Sequence, residues 1–517
     1  MKQRIKPGGI VLMLGVLALL ITGGWFIFKG DSTANPTANN TDKDSGSNTD
    51  APTYIFSVVT FPGYAGGYLF NDGYHPNENS RFFKEYGFNV DFKVQNNIAD
   101  SRQSFMSDEV NFIWATIDAL PTEALSFVKE GVVTAFQVDW SRGADGAVAT
   151  EDIKTAADLK GKTIAVAEMT PSHSFLLNVL DAASLTQNDI KIVPTPSAIQ
   201  AAEMFKSGKV DAAIVWAPDD QGCVDAVPGA HILTSTRTAS NIISDIFLVK
   251  TSFLNEHRED IENLVEGWMT ANAELNQEGS VGNSARTRAA EILFENEPEV
   301  YGSVAKAQES LNNVRFTTIG DNMAFFGFDQ TYKNATAKDI YSRMSQKYAE
   351  IGVIDDGETP SWADVSNNTI VSAVSKRLTS NENRAEGVAK FSEPTEDLKT
   401  VTPISTKSIT INFPTGSAEL TNKAKAIIDR DFGMLAKANG NARIRVAGNT
   451  DNTGPRSRNE ALSLERAQSA ITYLVTRYGF DRNRFVAVGN GPTHAINDGV
   501  KGANESYRRT DFELLGN

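Results

Sequence analysis

Between Tyr54 and about Leu378, short apolar runs alternate with helix-length segments, and no other feature constrains the fold of this chain as strongly. The runs YIFSVVTF, FNVDFKV, VNFIWAT, TIAVAE, DAAIVWA and ISDIFLVK have strand length and are rich in β-branched and aromatic residues. Segments between them, such as SAIQAAEMFKSG, have helical spacing, with Ser197 placed to cap the start and Gly208 to close the end. This alternation predicts an α/β fold with largely parallel sheets. Ligands of such sheets gather beyond the carboxyl ends of the strands.

Those ends carry the candidate cleft residues. Phe61 and Tyr64 follow the first run, Thr116 closes the third, Trp216 and Asp219 follow DAAIV, and Thr170 and Ser172 stand where MTPSHSFLLNVL opens a helix. A helix start offers free N–H groups to an anion. Asp219 and Asp220 favour an amine instead, and Phe61, Tyr64 and Trp216 suit stacking on a planar or alkyl group. Each has a plainer reading: Trp216 as core filling, Ser172 as a helix cap, Tyr64 as a surface aromatic. Their convergence on strand ends points to a small-molecule cleft, and a small zwitterionic or organic anionic solute satisfies both sets. Arg142 in WSRGADG is placed either to pair with a carboxylate or sulfonate or to stand solvated in a hinge loop.

A chain of 517 residues exceeds one ordinary core and implies roughly two to four domains. It carries 49 Lys and Arg against 64 Asp and Glu, a formal charge of -15, without a basic cluster, which argues against nucleic acid as a partner. The single cysteine, Cys223, excludes an intramolecular disulfide framework. His75, His173, His231, His257 and His494 lack ligand spacing, so neither a metal site nor a cofactor is expected. The chain holds no G-x-S-x-G, no P-loop and no G-x-G-x-x-G opening a helix, and adjacent Asp219 and Asp220 point in different directions; these observations favour a non-enzymatic protein.

At the N-terminus Lys2, Arg4 and Lys6 precede GGIVLMLGVLALLITGGWFIF, about 21 uncharged residues, long enough to cross a ~30 Å hydrocarbon layer. Residues 1–30 are therefore expected to be a retained single-pass inner-membrane anchor, with its N-terminus cytoplasmic and the bulk of the chain periplasmic. Residues 31–52 are polar and read as a disordered linker.

The segments IKTAADLKGKTIAVAEMTPSHSFLL, MFKSGKVDAAIVWAPD and VRFTTIGDNMAFFG, in this order, make residues 53–380 resemble the substrate-binding proteins of importers for nitrate, sulfonates, taurine and thiamine precursors. The resemblance implies two α/β lobes, one running from about Val138 to Thr234, that close on a ligand like a hinge, with ABC importer subunits as partners.

A linker over 381–406 leads to a further unit at 407–517. SITINF, ARIRVAG, NRFVAVGNG and DFELL read as strands, TNKAKAIIDRDFGMLAKA as a helix, and the order as a small β-α-β-α-β domain. TGSAELT, GNTDNTGPRSRNEALSLERAQSAITYL, VGNGP and YRRTDFEL resemble the OmpA C-terminal-like domain. That resemblance implies binding to the diaminopimelate stem peptide of peptidoglycan through Asp451 and Arg466, with Thr450, Asn459 and Leu462 lining the groove and Arg508 supporting it. An acid and a guanidinium are complementary to the ammonium and carboxylate of such an end group. Asn449 stands where the family has histidine, and Tyr507 where it has a second asparagine. The order of segments reads as an anchored envelope protein coupling a solute cleft to the wall. The competing reading is an envelope scaffold or stator-like tether whose middle domain no longer binds a solute.

Overall fold

The computed structural model describes residues 50–516 except 356, 412 and 415. Residues 1–30, expected to form an anchor, and nearly all of the expected linker lie outside the described residues. No helix among the described residues is long and apolar enough to cross a membrane, so the single-pass inner-membrane localisation is corrected and not carried forward.

Sixteen strands occur among the described residues, and each of the six early runs forms one. The first sheet has the order β2-β1-β3-β11-β4, from β1 (Thr53–Val58), β2 (Asn89–Val94), β3 (Phe112–Thr116), β4 (Val132–Gln137) and β11 (Asp245–Lys250). The second has the order β10-β6-β9-β7-β8, from β6 (Asp145–Ala149), β7 (Thr163–Val166), β8 (Lys191–Pro194), β9 (Ala212–Trp216) and β10 (His231–Ser235). Both are mixed rather than largely parallel. β1 runs parallel to β2 and β3, whereas β11 runs antiparallel to β3 and β4. In the second sheet β7 runs parallel to β8 and β9, whereas β6 runs antiparallel to β9 and β10. The chain crosses between lobes twice, and a strand re-entering a lobe from the crossover runs against its neighbours. Alternation of strand and helix reports the parallel units and is blind to these returns.

The first lobe is built on aromatic packing. Phe56 stacks on Phe112 with ring centroids 4.4 Å apart and meets Phe247 edge-on at 4.8 Å, against Trp268 of the Arg258–Asn276 helix. Such pairs add to the burial of their apolar area. In the second lobe the Ala198–Lys206 helix starts as its sequence predicts, Ser197 accepting from the Gln200 N–H, and Gly208 has a φ of +68° at its end. Cys223 is buried in this lobe, where loss of hydration pushes its thiol up to about 11. At the crossover, β5 (Asp139–Ser141) pairs with β12 (Val314–Phe316), and Asn272 donates to the Val138 and Thr317 carbonyls at 3.1 and 2.8 Å.

The Ala337–Glu350 helix opens with a Thr336–Asp339 capping box and packs Tyr341, Met344 and Tyr348 on the far face of the first sheet. It also reaches the second lobe, where the Tyr348 and Ser174 hydroxyls are 2.8 Å apart. The C-terminal sheet has the order β13-β16-β14-β15, from β13 (Ser405–Ile409), β14 (Arg443–Asn449), β15 (Phe485–Gly491) and β16 (Thr510–Leu515). β14 and β15 are parallel and joined by the Arg456–Tyr478 helix. β13 begins and ends earlier than SITINF implied, because its pairing with β16 takes in Ser405 to Ile409.

This domain is not set apart from the lobes. The Ile404 carbonyl accepts from the Ala156 N–H at 2.7 Å, and the Ala438 carbonyl accepts from Asn241 at 3.0 Å. Asp181 at the end of the Pro171–Ala182 helix meets Lys407 of β13 at 2.8 Å and Arg343 at 2.9 Å, and Lys437 meets Asp339 at 3.0 Å.

Candidate functional site

Two sites are built on this frame. The first is the cleft, with about 340 Å³ of empty space including its mouth, between the strand ends of the two sheets. Phe61, Thr116 and Trp216 line it, joined by Val59, Trp114 and Ile243. Pro171 also lines it, at the first helical position, where proline has no N–H to offer an anion. Thr170 turns its hydroxyl to the Ala167 carbonyl at 2.7 Å. Ser172 is fully buried with no hydrogen-bond partner for its hydroxyl, and Tyr64 is a core residue rather than a surface aromatic. Asp219 does not line the cleft: it opens the Asp219–Ala226 helix and pairs with Lys206 at 3.2 Å. Arg142 is engaged by Glu386 at 2.6 Å.

The acids that do enter the cleft are Asp145 and Asp245, which sequence reasoning missed. The antiparallel returns place them there: Asp145 opens β6 opposite Trp216, and Asp245 opens β11 opposite Thr116. Asp118 and Asp139 are buried behind them. None of the four pairs with a Lys, Arg or His among the described residues. Burial pushes the carboxyls of Asp118, Asp139 and Asp145 up to about 7. The Thr116 and Ser174 hydroxyls temper the rise at Asp118, but neither reaches hydrogen-bond geometry with it. Asp245 lies well above the usual carboxylate range, through burial and then the charge of Asp139, and Tyr64 beside it is raised by burial and then by Asp245. The available signal was an aspartate at a strand start inside an otherwise buried stretch, as in ADGAVA and SDIFLV.

The second site is a groove of about 200 Å³ in the C-terminal domain, lined by Phe413, Asn449, Arg466, Arg508 and Arg509 among others. Asp451 is nearly buried in the turn after β14; one carboxylate oxygen accepts from the Thr453 N–H at 3.2 Å and the other is 3.6 Å from Arg508. Arg466 lies over the Phe413 ring at 4.8 Å and donates to the Ser417 carbonyl at 3.0 Å. Burial and then the Arg508 charge hold its guanidinium below its ordinary value, with Asp451 opposing them. Asp451, Arg466 and Arg508 are thus brought together electrostatically. Asn459 does not line the groove: it is buried and donates to the Thr453 carbonyl at 3.0 Å, pinning the turn. Thr450 is buried with its hydroxyl unpartnered, and Leu462 is half-buried outside the lining. Asn449, in place of histidine, donates to Asp511 at 2.8 Å and accepts from Asn490 at 3.0 Å, so the substitution is locally satisfied. Gly448 lets the Arg456–Tyr478 helix close on β14; a Cβ there would sit 2.1 Å from the Ser463 carbonyl oxygen.

Comparison with known proteins divides the chain in the same way. Residues 77–273 match the NMT1/THI5 like family and residues 412–509 match the OmpA family. A protein of Brucella abortus named as a binding protein is 26% identical over 201 residues, covering 37% of this chain and 61% of that protein. The outer membrane protein Omp38 of Acinetobacter baumannii is 36% identical over 123 residues, 24% of this chain and 32% of Omp38. The chain thus spans about three-fifths of the first relative's length and one-third of the second's. Among solved structures, the periplasmic aliphatic sulphonate binding protein of Escherichia coli aligns with a TM-score of 0.47 at 15% identity, covering 62% of this chain and 99% of that one. The chain joins an NMT1/THI5-like domain to a C-terminal OmpA-family domain.

Proposed function

We propose that this chain is a non-enzymatic solute-binding protein of the cell envelope that also grips peptidoglycan without a covalent bond, with a solute domain over 53–380 and a wall domain over 407–517. The observation that carries the reading is the charge arrangement at the groove: the nearly buried Asp451 carboxylate, just outside the lining, stands 3.6 Å from Arg508 of the lining and shares its field with Arg466. A stem-peptide diamino acid ends in an ammonium and a carboxylate side by side. Asp451 would accept from the ammonium while Arg466 and Arg508 donate to the carboxylate, and charge-assisted bonds of this kind are strongest where water is excluded. Thr450 adds an unpartnered hydroxyl at the same turn.

The cleft supplies the other half of the reading. Two lobes joined by two crossovers can close on a solute that favours the closed state, and delivery to the subunits of an ABC importer is the corresponding role. The test of the wall role is sedimentation of the full chain with purified peptidoglycan. Asp451→Ala and Arg466→Ala are each expected to reduce co-sedimentation by about tenfold or more. Retention of full binding by both variants would remove the groove as the wall site.

A further inference from the structure

Resting on the solute-binding reading, we infer that the cleft takes a small organic cation, an alkylated ammonium or protonated amine, rather than an anion. The lining holds two carboxylates, Asp145 and Asp245, and no Lys, Arg or His. Asp118 and Asp139 are buried behind them outside the lining, and among the described residues no base lines the cleft to compensate. At pH 8, above the value of about 7 to which burial raises Asp145, an anion held there would be desolvated against like charge, which is strongly unfavourable. The helix start that would have offset this presents Pro171 at the cavity and has its Thr170 hydroxyl committed to Ala167.

Two buried side chains of the lining point independently to an occupant. Thr116 and Trp114 are each 3% exposed, and the Thr116 hydroxyl and Trp114 indole N–H have no hydrogen-bond partner. Buried polar groups left in this state are uncommon and cost stability unless a ligand or water completes them. Trp216 and Phe61 supply the aromatic faces, the Trp114 ring already carrying the Arg102 guanidinium at 5.0 Å, and alkylated ammonium groups are held by such faces together with a carboxylate. The occupant that satisfies walls and acids together is cationic at one end, apolar around the charge, and able to accept a hydrogen bond.

The test uses the full chain in thermal-shift and calorimetric titrations at pH 8 against choline, tetramethylammonium and putrescine, with taurine, methanesulfonate and nitrate as the opposing panel and NaCl of equal ionic strength as reference. At least one cation is expected to raise Tm, and Asp145→Asn and Asp245→Asn are each expected to weaken that cation by about tenfold or more. The Asn variants keep the shape of the side chain, and a retained cooperative thermal transition without ligand shows that they are folded. Stabilisation by the anions and none by the cations overturns the cation assignment while leaving solute binding intact. Silence toward both panels overturns both readings, and a cation whose affinity is unmoved in both Asn variants removes the acids as its site.

Discussion

Asp181 and Asp245 are both acids withdrawn from water, and they differ in company. Asp181, at the seam between the second lobe and the C-terminal domain, sits among Arg343, Lys407 and Lys347. Burial alone would raise it, but those cations outweigh burial and hold it below the usual carboxylate range. Asp245, in the cleft, has three acids in its field and pairs with no base among the described residues, and lies well above that range. A buried charge whose partners are supplied by the chain is architecture, whereas one left without a partner is a place for something else to bind.

The largest expected effect comes from breaking the seam. Asp181→Ala strands Arg343 and Lys407, while Lys347 keeps Glu350 at 3.3 Å, and should cost about 3 kcal/mol, read as a lower urea midpoint with an unchanged slope. A loss below about 0.5 kcal/mol, the size expected of an exposed pair, would make the seam electrostatically idle. The cleft should respond with the opposite sign: Asp245→Asn removes an uncompensated buried acid and is expected to stabilise the ligand-free chain by about 1 to 2 kcal/mol at pH 8. Destabilisation of that size would show that Asp245 has a structural partner after all.

The same contrast sets the pH dependence. Asp118, Asp139 and Asp145 are raised to about 7, so the folded chain holds their protons more tightly than the unfolded chain does. Their contribution is fully present below about pH 4 and is lost as pH rises through about 7, at up to about 1.4 kcal/mol per unit for each carboxyl that must ionise. Asp181 has a depressed value, so its contribution is present above the unfolded value and lost as acid is added. The ligand-free chain is therefore expected to lose stability between pH 5 and 8, with Asp245 and Tyr64 facing the same groups, and Asp145→Asn should flatten that slope. An unchanged slope would mean that the cleft acids are already ionised at pH 5. The smallest effect belongs to Asn449→Ala, which takes one donor from Asp511 but leaves Arg509 and Ser408 on it; about 1 kcal/mol is expected, measured by the same denaturant titration.

Much of this was legible in the sequence. The six early strands, the Ser197 cap and the turn that places Asp451 ahead of the Arg466 helix are local matters, fixed by apolar spacing and by side chains that satisfy nearby backbone groups. Phe61, Thr116 and Trp216 reach the cleft because they sit where strands end. Asp219 was misread for the same reason: a strand end says that a residue is near the cleft, but its helix turns it outward to Lys206. Asn459 was likewise assigned to the groove although it pins the turn beneath it.

The sequence by itself determined the elements, their order and the two kinds of domain, because hydrophobic periodicity and turn chemistry act over a few residues. Only the tertiary structure decided which distant charges share a space. The pairing of β11 on β3 and of β6 on β9 brings Asp245 and Asp145 to the cleft, and the packing of β13 against the second lobe delivers Lys407 to Asp181. Charges carry no periodicity of their own, and whether a buried one meets a partner depends on the register and packing of segments that are far apart in the chain.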